Sequence, residues 1–297
     1  MAFLMVSNRH FTEGALRFAD NKTDTSQIHI LYVCKKNGLW YVQEIKSLSE
    51  GIEKFPKKNW VLYTEGMGKI FTSNMERAYL MTGMYDVNVI LFDYASIMDE
   101  KGVSKNYKFA NNNAAASHKQ YANFLAEIEN IKNSTQYYDG VSLSIFIHSL
   151  GNAMFREMML QKEHQVFGHK KFIDNVILNA PCVRRKNHHR WVSAIDFAKN
   201  VYINFNRQDR NLNGATFLTL RRMLGSKPKY PFANNALYID FNEAVQKEHS
   251  YFLNFPYRDF VLPEGVVKYF WSVLNGEYVN AVRDFERSNI AGNKMKR

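Results

Sequence analysis

The stretch Ser142-Leu-Ser-Ile-Phe-Ile-His-Ser-Leu-Gly151 decides the fold of this chain. Its residues up to Ile147 are mostly β-branched or aromatic, which is typical of a strand buried on both faces. From Ala153 onward the apolar residues follow helical spacing, so the pattern predicts a strand, a sharp turn at Ser149 and a helix. Such a turn holds a serine hydroxyl beside a helix N-terminus, as a nucleophile elbow requires. Taken alone, a serine in this place is more often a helix cap.

The rest of the chain alternates between strand and helix patterns. Because the strands are almost continuously apolar, this alternation predicts an α/β fold with a mostly parallel central sheet and helices on both faces. The predicted strands are 59–64, 87–93, 141–148, 174–179, 200–205 and 236–241. The predicted helices are 72–83, 114–132, 150–163, near 190–198, near 214–224 and from about 264.

Before the first of these strands the sequence predicts an antiparallel hairpin. The tetrapeptide Lys35-Lys-Asn-Gly38 separates two β-rich runs, 28–34 and 39–45, and Asn-Gly is a strong hairpin turn signal. We therefore expect a single domain over 1–297, with an N-terminal β extension at 1–58, a catalytic core at 59–255 and a C-terminal helical segment at 256–297.

Composition narrows the class of protein. The 297 residues carry a formal net charge of +11, but the basic residues are scattered and no zinc-finger or RNP-like pattern accompanies them, which argues against nucleic acid as a partner. The two cysteines, Cys34 and Cys182, make neither a disulfide framework nor a metal cluster, so we expect no metal. No apolar run approaches the roughly 20 residues that span a bilayer, and the N-terminus lacks a basic flank, so we expect no transmembrane segment and a cytoplasmic location.

Three polar residues follow three of the predicted strands. In a parallel sheet, ligands collect at the carboxyl ends of the strands, where this chain places Ser149, Asp209 and His249. Their order along the chain is that of nucleophile, acid and base in α/β-hydrolases. Asp209 alone could make a turn and His249 alone could be an ordinary surface residue, so the prediction rests on the ordered combination. Asp240 is a rival acid, but it precedes the histidine by only nine positions, on the same strand unit.

A nucleophile of this kind also needs backbone N–H groups that hold the oxyanion. One donor is expected from Leu150, and the other from Gly66 or Met67, because the loop 65–69 follows the predicted strand 59–64 and contains two glycines. The alternative is a phosphate-binding loop. It is not supported, since no G-x-x-x-x-G-K-[ST] occurs and G-x-G-x-x-G is incomplete.

Over residues 59 to about 255 the chain resembles the α/β-hydrolases catalogued as domain of unknown function nine hundred. The resemblance is carried by Trp60-Val-Leu-Tyr-Thr-Glu-Gly66, Ile90-Leu-Phe-Asp-Tyr-Ala-Ser96, Ile147-His-Ser-Leu-Gly-Asn152, Val176-Ile-Leu-Asn-Ala-Pro181 and Val201-Tyr-Ile-Asn-Phe-Asn-Arg-Gln-Asp-Arg-Asn-Leu212. It implies the α/β-hydrolase fold, with Ser149 as nucleophile, Asp209 as acid, His249 as base and no cofactor.

The chain departs from this family's pattern in three places. Ile147 occupies the first glycine position of G-x-S-x-G, where a bulky side chain is expected to crowd the elbow. Glu65 stands where such hydrolases usually have histidine, and a carboxylate there is expected to disfavour an oxyanion. Cys182, where the family often has aspartate, is interpreted as a packing difference.

Together these patterns predict a serine hydrolase that acts on a small-molecule ester or related acyl bond, and leave the oligomeric state open. The alternative is a catalytically inactive hydrolase fold that binds a ligand, which Glu65 and Ile147 motivate. The loops 182–198 and 210–235 are expected to shape the pocket, and Trp191, Phe217, Leu218, Met223 and Leu224 either line it or pack the cap. We interpret the basic residues of 182–198 as a solvated edge rather than a cationic rim for an acidic ester.

Overall fold

A large mixed sheet forms the centre of the molecule. The computed structural model of the protein describes residues 1–13, 17–98, 102–169, 171–279, 286–288 and 292–294. The strands are β1 (Ala2–Ser7), β2 (Arg9–Thr12), β3 (Arg17–Thr23), β4 (His29–Lys36), β5 (Leu39–Glu44), β6 (Trp60–Thr64), β7 (Asn88–Asp93), β8 (Leu143–His148), β9 (Ile173–Asn179), β10 (Ala198–Phe205), β11 (Ala236–Asp240), β12 (Glu286–Ser288) and β13 (Gly292–Lys294). The α-helices are α1 (Leu48–Ile52), α2 (Phe71–Tyr85), α3 (Val103–Ala116), α4 (His118–Ser134), α5 (Gly151–Leu160), α6 (His188–Val192), α7 (Arg210–Thr219), α8 (Asn242–Val245) and α9 (Glu264–Leu274).

Across the described residues the strands of the main sheet lie in the order β12-β13-β11-β10-β9-β8-β6-β7-β1-β4-β5. The strands from β11 to β1 run parallel to their neighbours, and β8 lies between β6 and β9. β2 and β3 form a separate antiparallel pair. The predicted, mostly parallel sheet is confirmed, and its carboxyl edge brings the ends of β6, β8, β10 and β11 together.

Helices cover both faces of this sheet. Phe146 and Ile147 are neighbours on β8 and therefore point to opposite faces. The Phe146 ring contacts Phe270 of α9, with ring centroids 6.0 Å apart, whereas Ile147 faces the start of α5 at Gly151. Because both faces are covered, β8 is buried along its whole length, as its apolar sequence predicts.

The predicted N-terminal hairpin is present and extends the sheet. β4 pairs with β5 in antiparallel register, with Lys36 opposite Leu39. Asn37 and Gly38 both have positive φ, of 49° and 79°, as the tight turn of a two-residue hairpin requires.

Three features of the fold were not predicted. β1 lies inside the sheet, parallel to β7 and antiparallel to β4, although no strand was predicted before residue 28. α3 lies mostly before the predicted helix 114–132 and includes the polar run 111–113. The predicted C-terminal helical segment contains α9, and it is followed by β12 and β13 at the sheet edge; residues 280–285, 289–291 and 295–297 lie outside the described residues.

None of the helices in the described part of the chain is long and apolar enough to cross a membrane.

Candidate active site

Ser149 lies in a strained turn between β8 and α5. Its φ of 51° is in the left-handed region, which costs a non-glycine residue roughly 1–2 kcal/mol, and strained residues of this kind cluster at active sites. The Ser149 N–H donates to the carbonyl oxygen of Asn179 at the end of β9, at 2.9 Å. At Gly151 a Cβ would lie 2.7 Å from the Glu65 carbonyl oxygen, so only glycine lets the turn pack this close to the 65–69 loop.

Ile147 does not prevent this turn from forming. Its side chain is buried, and its Cγ2 atom would lie 3.3 Å from a Cβ at Gly151. The isoleucine therefore packs beneath the start of α5, against the glycine that leaves room for it. The crowding expected from the sequence is relieved inside the core.

The three predicted catalytic side chains form one hydrogen-bonded chain. His249 Nε2 lies 2.8 Å from Ser149 Oγ, and His249 Nδ1 lies 2.6 Å from Asp209 Oδ2. The Asp209 side chain is fully buried and that of His249 is 12% exposed. With a neutral imidazole, the serine hydroxyl donates to Nε2 and the Nδ1–H donates to the carboxylate, which is the arrangement that general-base activation needs.

The fold holds Asp209 through its second carboxylate oxygen. Asp209 is the N-cap of α7, and its Oδ1 accepts hydrogen bonds from the backbone N–H groups of Asn211 and Leu212 at 2.9 and 3.0 Å. Since Oδ1 is fixed by the helix, Oδ2 is left in position for His249. One side chain thus both starts a helix and orients the imidazole.

Asn206 connects the Asp209 loop to the His249 loop, a role that the sequence did not reveal. Its Nδ2 donates to the carbonyl oxygens of Gln246 and Glu248, at 2.7 and 3.0 Å. The side chain is fully buried. The available signal was an asparagine directly after a buried strand, where backbone from another loop can be bound.

The rival acid Asp240 lies in a different arrangement. Its Oδ1 accepts from the Asn242 N–H at 2.9 Å, and its Oδ2 lies 3.4 Å from Arg207 Nη2. Asp209, not Asp240, is the carboxylate hydrogen-bonded to His249.

The 65–69 loop packs directly on the elbow. At Gly66 a Cβ would lie 2.7 Å from the Ser149 Cβ and 3.0 Å from the Leu150 amide nitrogen, so the close approach requires glycine. The Gly66 N–H itself donates to Glu65 Oε1 at 2.7 Å and is therefore already occupied. The N–H groups of Leu150 and Met67 have no acceptor in the part of the chain that the structure describes.

Glu65 is part of a buried ionic network behind the site. Its carboxylate is 3% exposed and accepts hydrogen bonds from the Tyr63 hydroxyl and from Arg77 Nη1, the latter at 2.9 Å. Burial opposes its ionisation, but the charges of Arg77 and Lys69 outweigh burial and hold its pKa below the usual range. Burial also keeps the pKa of His148 well below its ordinary value despite Glu65, so His148 is neutral.

Replacing Glu65 by glutamine tests this network through its pH dependence. Folding favours the ionised form of Glu65. Its contribution to the free energy of unfolding is therefore complete above 4.5, the pKa of this carboxyl in the unfolded chain, and is lost as the pH falls towards its lower pKa in the folded protein. We expect Glu65→Gln to lower the free energy of unfolding by about 3 kcal/mol near neutral pH, because Arg77 loses its partner. The difference from the natural protein should shrink as the pH falls from about 6 to about 3 in urea unfolding experiments.

A matched control is Glu50→Gln, since Glu50 forms an ion pair with Lys54 in which both side chains are 42% exposed. Loss of that surface pair should leave the urea midpoint almost unchanged, because an exposed ion pair contributes little to stability. If the difference in free energy of unfolding between Glu65→Gln and the natural protein stayed constant or widened as the pH fell, Glu65 would not be ionised and paired in the folded protein.

Ser149 and His249 line a cavity of about 560 Å³. The apolar part of the lining consists of Val103, Tyr107, Leu212, Ala215, Phe217 and Leu218. The cationic side chains of the lining are Lys69, Arg77, Arg210 and Arg258. We call these two sets of lining residues the apolar half and the basic half.

The predicted pocket loops contribute unequally. The 210–235 loop contributes through α7, including Phe217 and Leu218, whereas the 182–198 loop contributes Cys182. Trp191, Met223 and Leu224 are buried in the core and do not line the cavity.

Arg77 is a site residue that sequence reasoning missed. It lies on α2 among the buried residues Asn74, Ala78 and Met81. An arginine on the buried face of an amphipathic helix was the available signal, because such a charge needs a buried partner.

No group of histidine, cysteine, aspartate or glutamate side chains in the described ranges could hold a metal ion.

The family match agrees with this architecture. The family described as "Alpha/beta hydrolase of unknown function (DUF900)" matches residues 7–227. A search of curated proteins finds no match. Among solved structures, the chain is similar to an uncharacterized protein from Bacillus cereus ATCC 10987, with 13% sequence identity and a TM-score of 0.42. That similarity covers 79% of this chain and 61% of the other.

The family match extends over most of the central sheet and includes the elbow at Ser149 and the α7 cap at Asp209. The chain belongs to the α/β-hydrolase family of unknown function.

Proposed function

We propose that the protein is a serine hydrolase that cleaves a carboxylic ester or a related acyl bond. The observation that carries the proposal is the continuous chain from Ser149 Oγ through His249 to Asp209, with distances of 2.8 and 2.6 Å. A serine hydroxyl becomes a useful nucleophile when a base takes its proton, and a carboxylate on the other ring nitrogen fixes the tautomer of that base.

In the proposed reaction the Ser149 oxygen attacks the substrate carbonyl carbon while His249 Nε2 takes the hydroxyl proton. The tetrahedral intermediate collapses, the bond to the alcohol oxygen breaks, and His249 returns its proton to that leaving group. Water then attacks the acyl-enzyme with His249 again as base, which releases the acid and regenerates Ser149. Asp209 stabilises the imidazolium in both halves and keeps its own charge.

We assign the oxyanion donors to the backbone N–H groups of Leu150 and Met67. Both lie where the elbow and the 65–69 loop meet, and neither is engaged by another group in the described part of the chain. Gly66 is left out as a donor, because its N–H is bound by Glu65 Oε1. Its proposed role is to bring the loop within reach of the elbow.

The alternative of an inactive binding protein rested on Ile147 and Glu65. Ile147 packs in the core, and Glu65 is paired with Arg77, whose positive charge offsets the carboxylate near the oxyanion position. Both observations support an active site rather than an inactive one.

Labelling with a fluorophosphonate tests the proposal. The Ser149 oxygen should displace fluoride from phosphorus, with His249 taking the hydroxyl proton, and leave an adduct that mass spectrometry maps to this residue. Protein unfolded in urea should not react, since the reactivity depends on the assembled triad. Folded protein that remains unlabelled at Ser149 would rule out the catalytic proposal.

A further inference from the structure

The basic half of the cavity contains a lysine without a carboxylate partner. Lys69 Nζ donates to the Met67 carbonyl oxygen at 3.3 Å, and within the described ranges no carboxylate forms an ion pair with it. Its side chain is only partly exposed. A partly buried ammonium group that donates to only one carbonyl oxygen can donate to further acceptors, because it has three N–H donors.

Glu65, which lines the cavity, and Glu248, which lines the adjoining groove, are engaged by other groups. Glu65 accepts from Arg77 at 2.9 Å and from Tyr63. Glu248 lies 3.5 Å from Arg258, in a pair with one third of each side chain exposed. The cavity wall therefore carries more positive than negative charge.

The positive groups also act on one another. Burial lowers the pKa of Lys69, and the charges of Arg77 and Arg258 lower it further, whereas Glu65 raises it. In the free protein, the charged form of Lys69 is thus disfavoured by its surroundings. A bound anion would relieve both the repulsion and the loss of hydration.

Arg258 and Arg210 are shared between two cavities. Both line the main cavity together with Ser149, and both also line an adjoining groove that contains Lys247, Glu248 and Asp259. His249 belongs to both cavities, so the catalytic base lies at the junction between them.

The apolar half suits an uncharged group. Tyr107, Leu212 and Ala215 contribute apolar surface there, and Phe217, which also lines the cavity, is 80% exposed. Removal of such surface from water stabilises a bound apolar group. The scissile bond would lie between the two halves, next to Ser149.

We propose that the substrate is an ester with an anionic group, a carboxylate or a phosphate, that binds Lys69, Arg258 and Arg210 while its uncharged part lies against the apolar half. This inference rests on the proposed hydrolase function for its catalytic context. It assigns the basic subsite to the 65–69 loop, α7 and the segment around Arg258, and not to the basic 182–198 loop.

Two pairs of substrates of matched shape test the inference. In the first pair, p-nitrophenyl hydrogen glutarate is compared with p-nitrophenyl 5-methylhexanoate. The acyl chain of the former ends in a carboxylate, and that of the latter ends in an isopropyl group of similar shape. In the second, 4-acetoxybenzoate is compared with 4-isopropylphenyl acetate, which places the same difference on the alcohol side. We expect kcat/KM for the anionic member of at least one pair to be about tenfold higher, a preference that weakens as salt is raised.

Lys69→Met should reduce this anion-to-neutral ratio to within about twofold of unity, whatever it does to the absolute rates. Lys119→Met is the control, because Lys119 is an exposed lysine on α4 that does not line the cavity. That variant should retain the full preference. Since the readout is a ratio between two substrates on one protein, partial loss of folded protein does not affect it.

Binding to Ser149→Ala protein separates this inference from the proposed function. Calorimetric titration with monomethyl glutarate and with propyl phosphate should show binding of at least one of them, and Lys69→Met in the same background should abolish it. Binding to the Ser149→Ala protein, combined with no ester hydrolysis by the natural protein, would contradict the hydrolase proposal and leave the anionic subsite standing. Equal turnover of charged and neutral esters, with neither anion bound, would overturn the subsite and leave the hydrolase intact.

Discussion

Ser149→Ala is expected to abolish ester hydrolysis and fluorophosphonate labelling while the protein stays folded. Without the nucleophile no acyl-enzyme can form, and in serine hydrolases loss of a triad member lowers kcat by about 10⁴- to 10⁶-fold. The backbone at this position has positive φ, which alanine tolerates about as well as serine, so the melting temperature should change little. Release of p-nitrophenol from p-nitrophenyl acetate measures the rate, and circular dichroism measures melting.

Ser144→Ala is the matched control on the same strand. Ser144 Oγ donates to the Val273 carbonyl oxygen at 3.1 Å, on the sheet and away from the cavity lining. Its loss should cost about 1 kcal/mol of stability and leave turnover within about twofold. If Ser149→Ala protein hydrolysed the ester as fast as the natural protein, Ser149 would not be the nucleophile.

Asp209→Asn is expected to lower kcat/KM by about 10³- to 10⁴-fold with little loss of stability. The two oxygens of Asp209 have separate roles, since Oδ1 caps α7 and Oδ2 binds His249. Asparagine is an equally good N-cap, so its Oδ1 can keep the helix start. The NH₂ group of the asparagine then donates to His249 Nδ1 and favours the tautomer with the proton on Nε2. A protonated Nε2 cannot accept the serine proton.

Asp240→Asn distinguishes this effect from a general loss of carboxylate charge. Asp240 also ends a strand, and its Oδ1 accepts from the Asn242 N–H, but its second oxygen faces Arg207 and not His249. We expect Asp240→Asn to keep kcat/KM within about threefold of the natural value. The proposed assignment of the acid would be wrong if Asp240→Asn lost activity and Asp209→Asn retained it.

Much of the fold was predictable because local patterns and tertiary packing agree. The apolar strands are buried on both faces, and the helical spacing after Ser149 produces α5. The Asn37-Gly38 turn specifies its hairpin through the positive φ that these residues tolerate. β1 was missed because a short apolar run at a terminus does not show which strands it will pair with.

The residues of the candidate triad could be named because parallel strands end at a common edge. Topology alone places the residues after β8, β10 and β11 at that edge, where Ser149, Asp209 and His249 form their hydrogen bonds. The oxyanion donors were harder to assign, since the choice between Gly66 and Met67 depends on the Glu65 carboxylate, which occupies the Gly66 N–H.

The stretch from Ser142 to Gly151 by itself determined a strand, a turn and a helix, because burial and helical spacing are local properties of a sequence. The turn at Ser149, its φ of 51° and its glycine neighbours follow from that local order. Only the tertiary structure decided the electrostatics of the site. Arg77 pairs with Glu65 across twelve positions of chain, and Lys69 and Arg258 face one cavity from distant segments. Charge pairing depends on distances between side chains from separate elements, and those distances exist only once the sheet has brought the elements together.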